Sequence, residues 1–205
     1  MQPFTFHTGT AAPMRISDVD TDQIIPARYC ASVTKEGLAD ALFADWRSDD
    51  PDFVLNHAPF SDATVLVAGE NFGSGSSREW AVWALQDYGI RAVIAPRYGD
   101  IFKGNALKNG LLVVELPAEE VGHIWKMIDD DPEAELTVDL LHRVVKIAGA
   151  EYPFHLDDDT AWRLINGFDD IALTLEHQGD IDSYESRRRT TLPTLAPQPS
   201  AGVRR

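Results

Sequence analysis

An α/β fold mixing parallel and antiparallel strands is predicted by two observations: a strand–helix–strand pattern over residues 64–95, and a later switch to short strands joined by tight turns. The stretch "TVLVAG" (64–69) is a run rich in β-branched residues, as a buried strand requires. Ala81, Ala84, Leu85 and Tyr88 then recur at helical spacing, and Gly89 suits the helix C-terminus. "RAVIA" (91–95) completes the unit, and such a crossover argues for parallel pairing. "IFKGNALKNG" reads as a short helix or loop closed by Asn109-Gly110, before the strand "LLVVEL" (111–116). Pro117, Glu119 and Glu120 open a helix with its apolar stripe at Val121, Ile124, Trp125 and Ile128. "ELTVDL", "RVVKI" and "EYPFHL" follow as a meander. Asp157 to Thr160 cap a helix around Trp162 and Ile165 that ends at Gly167, and Asp169 and Asp170 start another through Leu175 to Gly179. Beyond about residue 186, "SRRRTTLPTLAPQPSAGVRR" has no period and is expected to be disordered or pinned only by a partner.

With 205 residues and 44% apolar content, the chain suits one domain with a substantial core and a short appendage. No run reaches the roughly 18 apolar residues of a membrane span. The start, "MQPFTFHTGT", lacks the basic and apolar regions of a signal peptide, which points to the cytoplasm. Cys30 is the single cysteine, so an internal disulfide is excluded and no zinc or iron–sulfur centre can rest on cysteines of this chain alone. Net charge is −15, and residues 1–185 hold 13 basic against 33 acidic side chains. A body that acidic repels nucleic acid and anionic membrane, and it tolerates a small dicarboxylate only where arginines reverse the local field.

The stretch "GENFGSGSSREW" (69–80) sets glycines and serines against a charged pair at a helix start. A dinucleotide fingerprint fails because Arg78 takes the place of its third glycine, and a P-loop fails for want of lysine. A nucleophile elbow fails because no serine here sits in Gly-x-Ser-x-Gly. What remains is Ser76-Ser77-Arg78 at a helix N-terminus, where free N–H groups and the dipole favour an anion. Arg78 can grip a carboxylate through two parallel hydrogen bonds, and a serine beside it can exchange a proton. The plainer reading makes the serines caps and pairs Arg78 with Glu79 or a surface acid. In "SDVDTDQIIP" (17–26), Asp18, Asp20 and Asp22 imitate a calcium loop, but Gln23 and Tyr29 stand where it needs glycine and glutamate. An Asx-rich turn entering a strand-like "QII" is the plain alternative, and in an extended segment the three carboxylates would need a facing cation. The histidines (7, 57, 123, 142, 155, 177) show no ligand spacing.

Taken in order, "DVDTDQIIP", "NFGSGSSRE", "ALQDYGIRAVIAPRYGDIFKGN" and "KNGLL" resemble the swivelling domain of the aconitase family, and within it the separately encoded small subunits of 3-isopropylmalate dehydratases. The resemblance runs from about residue 4 to residue 188, so it implies a swivel domain over 1–188 with a disordered tail at 189–205. It implies a three-layer β/β/α swivelling domain with mixed parallel and antiparallel strands. It also implies a heterodimer, or a higher assembly, with a large subunit that carries a [4Fe-4S] cluster, this chain binding no cofactor and no metal itself. The implied reaction removes water from a hydroxy-dicarboxylate and returns it in the other sense through an unsaturated intermediate. By the same resemblance Ser76 is the alkoxide base, Ser77 holds its geometry, and Asp22 joins the polar network. Arg78, with Gly75 beside it, binds a substrate carboxylate. The loop Ala27, Arg28, Tyr29 and Cys30 borders the specificity pocket. Two positions depart from the family pattern: Trp80 replaces a histidine, and Cys30 lies where a leucine is usual. They keep open a related hydro-lyase acting on a methylmalate or a homocitrate-like acid. A non-catalytic carboxylate-binding module is the other alternative, although it has no use for Ser76.

Overall fold

The computed structural model describes residues 1–31 and 34–188. The tail expected to be disordered from residue 189 lies outside the described residues. The described chain forms two units, Met1–Asp169 and a second that begins at Asp170.

The first unit is organised by a strand that sequence reading misses, β1 (Phe6–Met14). Its first half pairs antiparallel with β5 (Glu135–Asp139), from Phe6 opposite Asp139 to Thr10 opposite Glu135. Its second half pairs parallel with β2 (Val65–Ala68), from Ala11 opposite Val65 to Met14 opposite Ala68. Gly9 and Pro13 are residues that ordinarily argue against a central strand. Here Gly9 makes room for the Thr64 side chain, whose hydroxyl would lie 2.1 Å from a Cβ. From β2 the sheet continues in parallel through β3 (Ala92–Ala95) to β4 (Leu112–Glu115). On the other side it continues antiparallel through β6 (Val144–Ile147) to β7 (Ala150–Pro153). Among the described residues the order is β4-β3-β2-β1-β5-β6-β7, so the predicted mixed α/β architecture is the one formed. The β6–β7 turn, Ala148-Gly149, has positive φ at both residues, as a two-residue hairpin prefers.

Side chains alternate along the parallel strands, and each face has its own core. Ala12, Met14, Leu66, Ala68, Val93, Ala95 and Val113 face α3 (Glu79–Tyr88) and α4 (Asp100–Asn109). Ala11, Val65, Val67, Ala92, Ile94, Leu112 and Val114 share a second core with α5 (Ala118–Asp130) and α6 (Asp158–Asn166), joined there by Leu136, Val138 and Val145. The predicted stripes hold in α3 and α5, where Ala81, Ala84, Leu85, Val121, Ile124 and Ile128 are buried. In α6 the buried residues are Ala161 and Leu164, while Trp162 faces outward against Phe168. The segment 101–110 is helical, with Gly110 as a left-handed cap.

Three elements differ from the sequence reading. "QII" is not a strand: Thr21–Ile24 is one helical turn, α1, because Asp20 and Gln23 close a reciprocal capping box. A short helix, α2 (Ala44–Asp49), packs Trp46 against Phe43 in a segment without clear periodicity. In the second unit the helix expected through Gly179 is two helices, α7 (Asp170–Leu175) and α8 (Gln178–Arg187). Gly179 sits in the first turn of α8, where a glycine need not end a helix. Among the described residues no helix is long and apolar enough to cross a membrane.

Because β1 and β2 run parallel, the chain leaves both at the same sheet end, and the two exits touch. A Cβ on Gly69 would lie 2.4 Å from the Ile16 carbonyl oxygen and 2.8 Å from the Ser17 nitrogen. Both obstacles are backbone and cannot rotate aside. Gly69→Ala is therefore expected to lower stability by about 1–3 kcal/mol, the usual range for overpacking. Urea denaturation measures this, and an unchanged midpoint would contradict the close approach.

Candidate active site

The segments leaving β1 and β2 are laced together by their backbones. The Asp18 N–H donates to the Glu70 carbonyl at 2.8 Å, and the Gly73 and Ser74 N–H groups both donate to the Val19 carbonyl, at 2.7 and 3.1 Å. On the far side the Phe72 N–H reaches the Arg97 carbonyl at 3.0 Å. Gly73 has a φ of +73°, and a Cβ there would strike the Phe102 ring at 2.2 Å. The first half of the glycine loop is therefore a packed seam, its amides already engaged by Val19. The part left open is Gly75, Ser76 and Ser77, which are exposed, followed by Arg78 as N-cap of α3.

The three aspartates do not share a face, and each has a separate partner. Asp18, with φ +57°, accepts from the Asn71 side-chain amide at 2.8 Å. Asp20 caps α1 by accepting from the Gln23 N–H at 2.8 Å. Asp22 accepts a charge-assisted hydrogen bond from Nη1 of Arg78. The facing cation that the acidic run demands is thus Arg78, 56 residues away in sequence. Of the plain reading, the pairing with Glu79 fails, since that carboxylate accepts from the Asn109 amide at 2.7 Å, while the pairing with a surface acid holds, the acid being half-exposed Asp22.

The Arg78 guanidinium is held above its ordinary pKa, chiefly by the hydrogen bond to Asp22. It is about one-fifth exposed, whereas Asp22 is about half exposed. A guanidinium has five N–H donors in a fixed fork, so engaging Asp22 through Nη1 leaves donors for a second carboxylate. Cys30 belongs to the same neighbourhood. Its thiol is pushed up by burial, with Arg78 opposing and Asp22 adding to the rise.

The predicted specificity loop is a 3₁₀ turn, Ala27–Tyr29, after Pro26. Arg28 pairs with Asp45 of α2 and lies over the Tyr29 ring at 4.8 Å, which ties the loop outward to α2. Cys30 follows with its thiol 3.9 Å from the Pro26 carbonyl oxygen. Trp80 is half-buried and packs on Trp83 with ring centres 5.5 Å apart. Among the described residues no three His, Cys, Asp or Glu side chains converge as a metal site. The donor set here does not fit an iron–sulfur cluster.

Sequence reasoning missed Thr21. It is 2% exposed, and its hydroxyl donates to the Ser76 carbonyl at 2.9 Å. A threonine between two aspartates gives no signal of that contact.

A family profile described as the aconitase C-terminal domain matches residues 1–119, and one described as the C-terminal domain of the 3-isopropylmalate dehydratase small subunit matches residues 170–198. The chain is 54% identical to the 3-isopropylmalate dehydratase small subunit of Micrococcus luteus, covering 98% of this chain and all of the relative. It is 57% identical to the one of Acidothermus cellulolyticus, covering 95% and 98%. The chain belongs to the 3-isopropylmalate dehydratase small-subunit family. A crystal structure of 3-isopropylmalate dehydratase from Methanocaldococcus jannaschii shares the fold with a TM-score of 0.64 at 28% identity, over 88% of this chain and 99% of that one. The second profile begins where the second unit begins, at Asp170, so α7 and α8 carry a family feature of their own.

The shared field of Arg78, Asp22 and Cys30 has a direct chemical readout. Asp22→Asn removes the negative charge that raises the thiol pKa and leaves Arg78, which lowers it. Alkylation of Cys30 by iodoacetamide at fixed pH near 8 is expected to accelerate in Asp22→Asn. An unchanged or slower rate would place Cys30 outside this neighbourhood.

Proposed function

We propose that this chain is the catalytic small subunit of an isopropylmalate isomerase, interconverting 2-isopropylmalate and 3-isopropylmalate in leucine biosynthesis. The observation that carries the reading is the arrangement at the start of α3: two exposed serines, then an arginine whose guanidinium is oriented by Asp22. The chain works in a complex with a large subunit, and the reaction takes place in the cytoplasm. The [4Fe-4S] cluster belongs to that subunit, whose Lewis-acid chemistry lies outside this chain.

This chain contributes proton transfer and carboxylate recognition. Arg78 receives one substrate carboxylate on the donors that Asp22 leaves open, with Gly75 giving the ligand close access to the backbone. Ser76, as the alkoxide, takes the proton from the carbon beside the one bearing the hydroxyl. The hydroxyl departs as hydroxide with its bonding electrons, a double bond forms, and 2-isopropylmaleate results, the abstracted proton staying on Ser76. Re-addition in the opposite sense returns the proton from the Ser76 hydroxyl and places the new hydroxyl on the other carbon. Arg78 and the positive end of α3 lower the cost of the alkoxide locally, although the chain as a whole is strongly acidic. Ser77 holds the turn between base and arginine. The loop Ala27 to Cys30 meets the alkyl group. Trp80 and Cys30, the two positions that depart from the pattern expected from the resemblance, favour a second reading, in which a methylmalate or homocitrate-like acid is preferred. One methylene in an apolar pocket shifts preference by roughly 1–3 kcal/mol.

Two measurements with the assembled, anaerobic enzyme test this. Ser76→Ala is expected to lower kcat by about 10²–10⁴-fold, the worth of a positioned acid–base group, with assembly intact. A rate close to wild type would refute the base assignment. Arg78→Lys keeps the charge and loses the fork, so the main effect is expected on KM, worth about 1–3 kcal/mol. A change confined to kcat would remove Arg78 from substrate binding. The chain assayed without its large subunit is expected to show no turnover.

A further inference from the structure

Thr21 is neither acidic nor exposed, yet it touches the loop at two points, one on each side of Gly75. Its N–H donates to the Ser74 carbonyl at 3.0 Å, and its hydroxyl donates to the Ser76 carbonyl at 2.9 Å. These carbonyls flank Gly75, whose φ of +86° makes it the joint about which the exposed serines could swing. A Cβ on Gly75 would stand 3.5 Å from Cβ of Asp20 and 4.0 Å from the Thr21 hydroxyl, so the joint lies directly over α1. The anchor is itself rigid, because the Asp20–Gln23 capping box fixes the turn that carries Thr21. Thr21 is also buried, whereas Asp22 beside it is exposed.

We infer that Thr21 is a positioning residue for the proton transfer, acting through the Ser76 backbone. This rests on the assignment of Ser76 as base. A peptide unit is planar, and its N–H points opposite its carbonyl. Holding the Ser76 carbonyl down toward buried Thr21 therefore turns the Ser77 N–H outward and leaves the Ser76 side chain a restricted direction. Without the hydroxyl, the carbonyl beside Thr21 loses its donor, and the joint at Gly75 is held on one side only. The loop keeps its place in the fold, since its first half is bound to Val19 and Arg97 independently of Thr21. What changes is the aim of the base, and small misplacements in reacting geometry cost about 10²-fold.

The test uses the enzyme reconstituted with its large subunit. Thr21→Val, which keeps the shape and removes the hydroxyl, is expected to lower kcat by about 30–100-fold with KM within about twofold. Thr21→Ser, which restores the hydroxyl, is expected to recover most of that loss. If Thr21→Val does not assemble, Thr21→Cys takes its place, since a thiol is only a weak donor. In the double variant with Ser76→Ala, the Thr21 substitution is expected to cost nothing further, because its only route to catalysis has been removed. Wild-type kcat in Thr21→Val, or losses that multiply in the double variant, would overturn the inference. An active Ser76→Ala single variant would instead refute the base assignment, so the two failures are distinguishable.

Discussion

The parallel pairing of β1 with β2 is the constraint on which the site depends. Parallel strands end on the same side of a sheet, so the segments after Met14 and after Ala68 emerge as neighbours although some 50 residues separate them. Gly69 lets their backbones touch, and the Val19 carbonyl ties the glycine loop to the aspartate run. Asp22 then meets Arg78, and Thr21 meets Ser76. A loop of this composition standing alone would be mobile. Here it is clamped along its first half and open only at Gly75 to Ser77.

Under the proposed function, electrostatics accounts for a single arginine serving a carboxylate in so acidic a chain. Several basic side chains are neutralised at exposed surfaces, as in the pairs Arg15–Asp129, Lys103–Glu115 and Arg143–Asp158. Such pairs contribute little to stability. Arg78 is the less exposed of its pair, stands at a helix N-terminus, and is oriented by Asp22 through one nitrogen. Asp22 aims the fork without closing it. The Arg28–Asp45 pair does comparable work for the neighbouring loop by fixing it to α2.

Much of the fold was legible in the sequence where local period and burial agree. "TVLVAG", "RAVIA" and "LLVVEL" have apolar centres because both sheet faces are covered there, and the α3 and α5 stripes match their buried residues. β1 was illegible because it changes partners midway, and because it contains Gly9, which makes room for Thr64 only in the assembled sheet, and Pro13, which ordinarily argues against a central strand. α1 was misread because its helicity comes from a capping box around four residues, too short to show a period. At the site, the residue types Ser76, Ser77, Arg78 and Asp22 could be nominated from their motifs. The contacts of Arg78 with Asp22 and of Thr21 with Ser76 could not, since both depend on strand pairing far away in sequence.

The account stands on Arg78 and Asp22 acting as one unit toward the substrate. A double-mutant cycle on kcat/KM with Asp22→Asn and Arg78→Gln in the reconstituted enzyme tests this most directly. The double variant is predicted to be much less impaired than the product of the single losses, with a coupling of about 1 kcal/mol or more, as for residues in direct contact. Single losses that simply multiply would show the two residues to be independent and contradict the account.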